Sequence, residues 1–317
     1  MPNFRTRRTF LQQATFLAAA WGFGSGFAHA DEAPAEAPSE PAKKRDYKIS
    51  LAAWSLHRSI GTDSGKYPML DFPKLAREEF GIGAIELVNH MLASDSPEYL
   101  AEFAKNAAAH DTEILLIMVD GQGDIGSRSA NMREGAVANH KKWIDIAADF
   151  GCHAMRMNWQ GFRGNPTNFD AEMENFIERS VPGLRELCDH GDKKGISVLI
   201  ENHGGPSSYP EPMEKLFAAV DHERFGSLPD FGNFPADVDL YDAVDRLMPF
   251  AKAVSAKCYD FDLVTGNETT LDFERLIKIV HDKHGYNGYI GIEYEGRKMS
   301  EFDGITACRD LLLRLRG

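Results

Sequence analysis

The sequence predicts an α/β chain closed into a (β/α)8 barrel, the TIM-barrel architecture, and three observations predict it. Eight short runs rich in apolar and β-branched residues alternate with stretches of helical periodicity. The alternating part takes up about 270 of the 317 residues, close to the roughly 250 typical of such a barrel. Polar residues recur where the apolar runs stop, which is the end of a parallel strand that carries chemistry in this architecture. A doubly wound open sheet is the competing arrangement, but no Gly-x-Gly-x-x-Gly follows the first run to support a dinucleotide fold.

The strand runs are 48–53, 84–88, 113–119, 153–158, 196–200, 225–229, 253–258 and 289–292. Continuous apolar character is what a parallel strand buried on both faces requires. Amphipathic helical patterns fill 101–110, 139–150, 176–194, 213–220, 240–248, 273–284 and 305–315. Asp71 before Phe72-Pro73 and Ser96 before Pro97-Glu98 add helix-start chemistry, a capping side chain ahead of a first-turn proline.

Ahead of the barrel, Thr6-Arg7-Arg8-Thr9-Phe10-Leu11-Gln12 sets paired arginines before an apolar stretch, and Ala28-His29-Ala30 ends it as a small-x-small cleavage site. That pattern reads as a twin-arginine signal peptide over 1–30 and implies an exported, periplasmic protein. The apolar stretch is shorter than the roughly 20 residues of a membrane span, so no stable span is expected. Residues 31–46 are rich in Ala, Pro and Glu and lack aromatics, the composition of a flexible linker. The barrel is assigned 47–317.

The whole chain carries 35 basic and 48 acidic side chains, net −13. Removing 1–30, with three basic residues and no acidic one, leaves 32 against 48, net −16. So acidic a surface repels polyphosphate, which argues against a nucleic-acid partner. Cys152, Cys188, Cys258 and Cys308 show no close pairing or metal-ligand spacing and read as buried or free thiols.

The stretch Ile196-Ser-Val-Leu-Ile-Glu-Asn-His-Gly-Gly205 is the most informative. Glu201 stands where a buried strand stops, a costly place for an uncompensated carboxylate. Period-two alternation puts His203 on the same face and Asn202 on the other. Asp230 follows the sixth run and Glu293 the eighth, so three carboxylates are expected to converge on one rim. Like charges held that close repel unless a cation lies between them, and oxygen-rich ligation suits Mn²⁺ or Mg²⁺, with Co²⁺ or Zn²⁺ as alternatives.

Glu201 in Ile-Glu-Asn-His-Gly, Asp230 in Asp-Phe-Gly-Asn and Glu293 in Gly-Ile-Glu-Tyr-Glu-Gly resemble motifs of the sugar phosphate isomerase/epimerase family with the xylose-isomerase-like TIM barrel. The resemblance covers roughly 48–315. It implies a divalent metal held by Glu201, Asp230 and Glu293, and a fourth ligand, a histidine, on the seventh strand. Here the family's His-x-Lys pattern is replaced by Ser255-Ala256-Lys257. Three outcomes are open: His203 or a water fills the position, the metal binds more weakly, or the chemistry has changed. A histidine beside Glu201 can equally orient a carboxylate by a hydrogen bond.

The expected activity is that of a metal-dependent sugar isomerase or epimerase, with Glu201 and Glu293 passing a proton through an enediolate. His57, His90, Trp54, Trp159, Asn233 and Lys257, near strand ends, are the expected contacts to a small carbohydrate substrate. Lys257 could neutralise a developing oxyanion or pair with a neighbouring carboxylate, and the two tryptophans could stack on a sugar ring or pack in the core. A metal-dependent lyase or hydrolase on oxidised sugars or glycosides, and a non-catalytic sugar-binding barrel, are the alternatives. A homo-oligomer is compatible with a barrel of this kind. The helix and loop histidines His110, His140, His190, His222, His281 and His284 read as solvated.

Overall fold

A computed structural model of the chain describes residues 44–61, 65–161 and 169–317. The expected leader and the linker as far as residue 43 lie outside the described residues. Eight parallel strands alternate with helices. The strands are β1 (Lys48–Ala52), β2 (Ala84–Val88), β3 (Glu113–Val119), β4 (Ala154–Met157), β5 (Ser197–Glu201), β6 (Phe225–Leu228), β7 (Val254–Cys258) and β8 (Tyr289–Tyr294). The helices are α1 (Phe72–Glu78), α2 (Pro97–Ala109), α3 (Ala130–Asp149), α4 (Phe169–Asp192), α5 (Pro210–Val220), α6 (Leu240–Leu247), α7 (Phe273–Ile277) and α8 (Glu301–Arg316). All eight strand expectations are met, β2 and β3 with both ends as expected and the others with ends moved by one or two residues.

The ladder runs β6-β5-β4-β3-β2-β1-β8-β7, every pair parallel. The last seam, β6 to β7, closes through the isolated bridges Ser227↔Ala251 and Asp230↔Ser255. Ser255 N donates to Pro229 O (2.9 Å), and Phe231 N to Ser255 O (3.1 Å). This seam sets Asp230 beside Ser255.

The helices α2, α3, α4, α5 and α8 begin earlier than the apolar periodicity predicts, whereas α6 and α7 begin where it does. Ser96 Oγ accepts from Tyr99 N (3.3 Å), so α2 starts at Pro97. Ser300 likewise caps α8 through Asp303 N (3.1 Å). Asp71, expected to cap α1, makes no capping hydrogen bond. The apolar core lies between the barrel and its helices, and the four cysteines are buried in it as free thiols. His140 is a further correction: it is buried on α3, its Nδ1 bonded to Ala136 O at 2.7 Å. Among the described residues, no helix is long and apolar enough to cross a membrane.

Candidate active site

Glu201, Asp230 and Glu293 come together on the C-terminal side of the barrel. Each offers an oxygen, and the three oxygens lie within 4.8 Å of one another; all three residues are buried. The sequence dictates this placement. β5 ends in Glu201, the chain past β6 is pinned at Asp230 by the closing seam, and β8 runs two residues further than predicted to carry Glu293 inward.

Two buried cations flank the trio. The Arg156 guanidinium on β4 approaches Glu201 Oε2 with Nε at 2.8 Å and donates from Nη1 to Asp120 Oδ1 at 2.7 Å. The Lys257 ammonium on β7 lies 3.0 Å from Glu293 Oε1 and 3.2 Å from Glu295 Oε1, and donates to Asn233 Oδ1 at 2.9 Å. Asn233 in turn donates to Glu201 Oε1 at 2.9 Å. Ser255 Oγ donates to Asp230 Oδ2 at 2.6 Å and lies 3.2 Å from Glu293 Oε2.

The charges settle unequally. Burial pushes Glu201 and Asp230 up to about 7, although Arg156 opposes it for the first and Lys257 for the second. Burial also raises Glu293, but the Lys257 ammonium outweighs it and holds Glu293 below the ordinary carboxylate value. Lys257 and Arg156 are themselves raised, because the surrounding carboxylates overcome the cost of burying a cation.

The residues fit a divalent cation. Glu201 Oε2 is fully buried yet has no directed hydrogen bond among the described residues, since its contact with Arg156 Nε has ion-pair distance without alignment. A carboxylate lone pair left over at the centre of an acidic trio is what ligation would use, and the donors are hard oxygens.

A family model described as xylose isomerase-like TIM barrel matches residues 74–316. The chain belongs to that family. Among solved structures, it resembles a xylose isomerase-like TIM barrel protein from Mycobacterium smegmatis in complex with magnesium, at 21% identity and TM-score 0.60, over 85% of this chain and 96% of that one. It also resembles the 3-keto-D-glucoside 4-epimerase YcjR from E. coli (19%, TM-score 0.63, 81% and 98%). A third is the probable 3-DHS dehydratase AsbF of Bacillus anthracis (19%, TM-score 0.62, 84% and 98%). At these identities what is shared is the fold. No curated protein matches the sequence.

Within this xylose isomerase-like barrel, the other expected residues divide. Trp54, His57 and His90 form one aromatic group: Trp54 stacks on His57 (centroids 4.7 Å apart) and meets the His90 edge at 5.5 Å. Trp54 Nε1 donates to Glu295 Oε1 at 2.7 Å, joining this group to Lys257. Trp54, His57 and Glu295 line a cavity of about 670 Å³. Asn233 and Lys257 are in the network already described.

Trp159 is not part of it. It is 1% exposed, stacks on Phe176 of α4 at 4.9 Å and donates to Ser180 Oγ at 2.9 Å, so it is a core residue. Alternation gives the reason: Arg156 and Asn158 face the barrel axis, and Trp159 therefore faces the helices.

His203 lies outside the carboxylate cluster. Gln160 Nε2 donates to His203 O at 2.8 Å and meets His203 Nδ1 at 3.1 Å. The carbonyl fixes which end of the amide is NH2, so Nδ1 accepts and the neutral ring carries its proton on Nε2. Burial, with Arg156 and Lys257 nearby, lowers the His203 pKa and keeps that ring neutral. Gly205 makes the contact available: its φ is +60°, and a Cβ there would stand 1.9 Å from Gln160 O.

Arg156, Asp120, Ser255 and Glu295 complete the network, and none of them is among the residues the sequence singles out as ligands or substrate contacts. The signal for Arg156 was a lone charge inside the apolar run Ala154-Met155-Arg156-Met157, two residues before Asn158.

Proposed function

We propose that this barrel is a divalent-metal-dependent isomerase or epimerase of a carbohydrate or related hydroxy-carbonyl compound. The observation that carries the reading is the trio of buried carboxylates whose oxygens lie within 4.8 Å, one of them with an oxygen left without a directed hydrogen bond. Glu201, Asp230 and Glu293 would hold the ion, magnesium or manganese, whose chemistry is to polarise a substrate carbonyl and acidify the adjacent carbon. The magnesium complex of the Mycobacterium smegmatis protein and the epimerase among the similar structures support this reading.

The chain's own residues supply the proton traffic. Glu201 and Glu293, which would stand on either side of such a substrate, are the pair suited to pass the proton, one accepting it and the other returning it. Lys257 and Asn233 tie the two carboxylates into one network. His203 Nε2–H offers a donor to a substrate oxygen. The Trp54–His57–His90 group and the adjoining cavity would seat the rest of the sugar. Export through the twin-arginine leader is part of the proposal. Cleavage after Ala30 and delivery of a fused reporter to the periplasm would test it, and retention in the cytoplasm would count against it.

The central experiment incubates the metal-loaded protein with ketoses and 3-keto-glucosides in D2O and follows the products by NMR. Deuterium entering the carbon next to the carbonyl, with an epimer or aldose–ketose mixture, is the expected result. Glu201→Gln and Glu293→Gln should each slow exchange by about 10²–10⁴-fold. An unsaturated or cleaved product would make the enzyme a lyase or hydrolase instead. Sugar binding unchanged by chelator, with no exchange on any substrate, would make it a binding protein.

A further inference from the structure

The donor atoms around the proposed ion share one property: they are all oxygen. The three carboxylates supply six, and among the described residues the one uncharged side chain in contact with two of them is Ser255, 1% exposed, whose Oγ stands 2.6 Å from Asp230 Oδ2 and 3.2 Å from Glu293 Oε2. The nitrogen groups nearby cannot ligate. Arg156 and Lys257 are cations with no lone pair to give, and His203 lies outside the carboxylate cluster, with Nδ1 3.1 Å from Gln160 Nε2. A second buried feature also points to a ligand here, the Glu201 oxygen without a directed hydrogen bond.

Ser255 also fixes the geometry. Its single hydroxyl proton serves the short contact to Asp230, which leaves oxygen lone pairs facing the space between Asp230 and Glu293. The β6–β7 seam holds the Ser255 backbone on both sides, through Pro229 O and Phe231 N, and so fixes where its side chain starts.

We propose that Ser255 makes this an oxygen-only centre and thereby sets its selectivity toward magnesium and manganese, by withholding the nitrogen donor from which zinc and cobalt gain most. Carboxylate and hydroxyl oxygens suit hard cations, whereas imidazole suits zinc and its neighbours. The inference rests on the metal-dependent reading of the site and adds to it which ions the chain prefers and which residue decides.

The test reads metal binding, not turnover. The mature chain is loaded with Mn²⁺ and its electron spin-echo envelope modulation recorded; no imidazole ¹⁴N modulation is expected, and its presence would overturn the proposal. In parallel, Mn²⁺ and Zn²⁺ affinities are measured by competition against a chromophoric chelator for wild type and Ser255→His. The preference for Zn²⁺ over Mn²⁺ should rise at least about tenfold in the variant. An unchanged preference in a variant with native thermal unfolding would refute the role given to Ser255. Should that variant fail to fold, the spin-echo result on the wild type still decides. Failure of the wild type to bind any divalent ion would overturn the metal-dependent function itself, an outcome distinct from binding with the wrong selectivity.

Discussion

The barrel uses one backbone device twice, with opposite electrostatic results. After β2, Asn89 clamps Asp120 across to the next strand: its Nδ2 donates to Asp120 O (3.0 Å) and its Oδ1 accepts from Asp120 N (2.9 Å). After β5, Asn202 clamps Asp230 in the same way, at 3.0 and 2.7 Å. Beyond the clamp the two aspartates differ. Asp120 is 28% exposed and meets Arg156 at 2.7 Å, and although burial raises it, Arg156 outweighs burial and leaves it below the ordinary value. Asp230 is fully buried, meets Ser255 and Gly232 N, has no cationic side chain within ion-pair distance among the described residues, and is pushed up to about 7. Backbone pairing fixes where a carboxylate stands; its neighbours decide whether it arrives with a counter-ion or lacks one.

Removing the built-in cation is the strongest way to break this contrast. Arg156→Met should cost the metal-free protein about 3–5 kcal/mol, because it leaves Glu201 buried without compensation. Part of that loss should return when a divalent ion is added. Urea unfolding with and without metal checks both, and a cost below about 1 kcal/mol would show that Arg156 is not the counter-charge.

Next in size is metal affinity. Asp230→Asn should lower it by more than about 100-fold, beyond the 10–100-fold typical of losing an outer partner, while Asp120→Asn should lower it less than about 10-fold. Calorimetric titration of both variants decides. Equal losses would place Asp120 at the ion as well.

The pH dependence of the metal-free protein should separate the two again, with opposite signs. Asp230 is raised on folding, so its contribution is full below about 4 and is lost as pH rises through about 7. Asp120 is lowered, so its contribution is present above the ordinary carboxylate value and is lost as pH falls through its depressed one. Asp230→Asn should therefore flatten the decline towards pH 8, by on the order of 2 kcal/mol given that the proton is shared with Glu201. Asp120→Asn should flatten only the acid limb. Thermal unfolding from pH 3 to 8 would show either pattern.

What could be read from the sequence was set by periodicity. The eight strands were legible because buried parallel strands are nearly continuous apolar runs, and the carboxylates because each interrupts or ends one. Trp159 was misplaced for want of the same rule, since alternation from Asn158 turns it towards Phe176. The clamps and the Arg156–Glu201 contact were not legible, because they depend on how far each strand end projects and on side-chain torsions. The space beside Glu86 was equally invisible. Its carboxyl lies one inward layer below Glu293, bonded to Ser50 Oγ at 2.6 Å, and a Cβ on Gly291 would stand 2.5 Å from it. A glycine in a strand reads as a weak point until the side chain that needs its room is known.

The smallest expected effect tests the clamps themselves. Replacing Asn202 by Ala removes two hydrogen bonds and leaves the Asp230 N–H and C=O unsatisfied where both residues are fully buried. Replacing Asn89 does the same beside an aspartate that water partly reaches. If the two clamps are one device in two settings, Asn202→Ala should cost about 2 kcal/mol and Asn89→Ala about 1, since exposure lets water stand in for the lost partner. Metal affinity should follow the first and ignore the second, because only Asp230 is at the ion. Equal costs, or a metal affinity that responds to Asn89, would mean that the β2–β3 junction and the metal centre are coupled through Arg156 rather than held independently by their own asparagines.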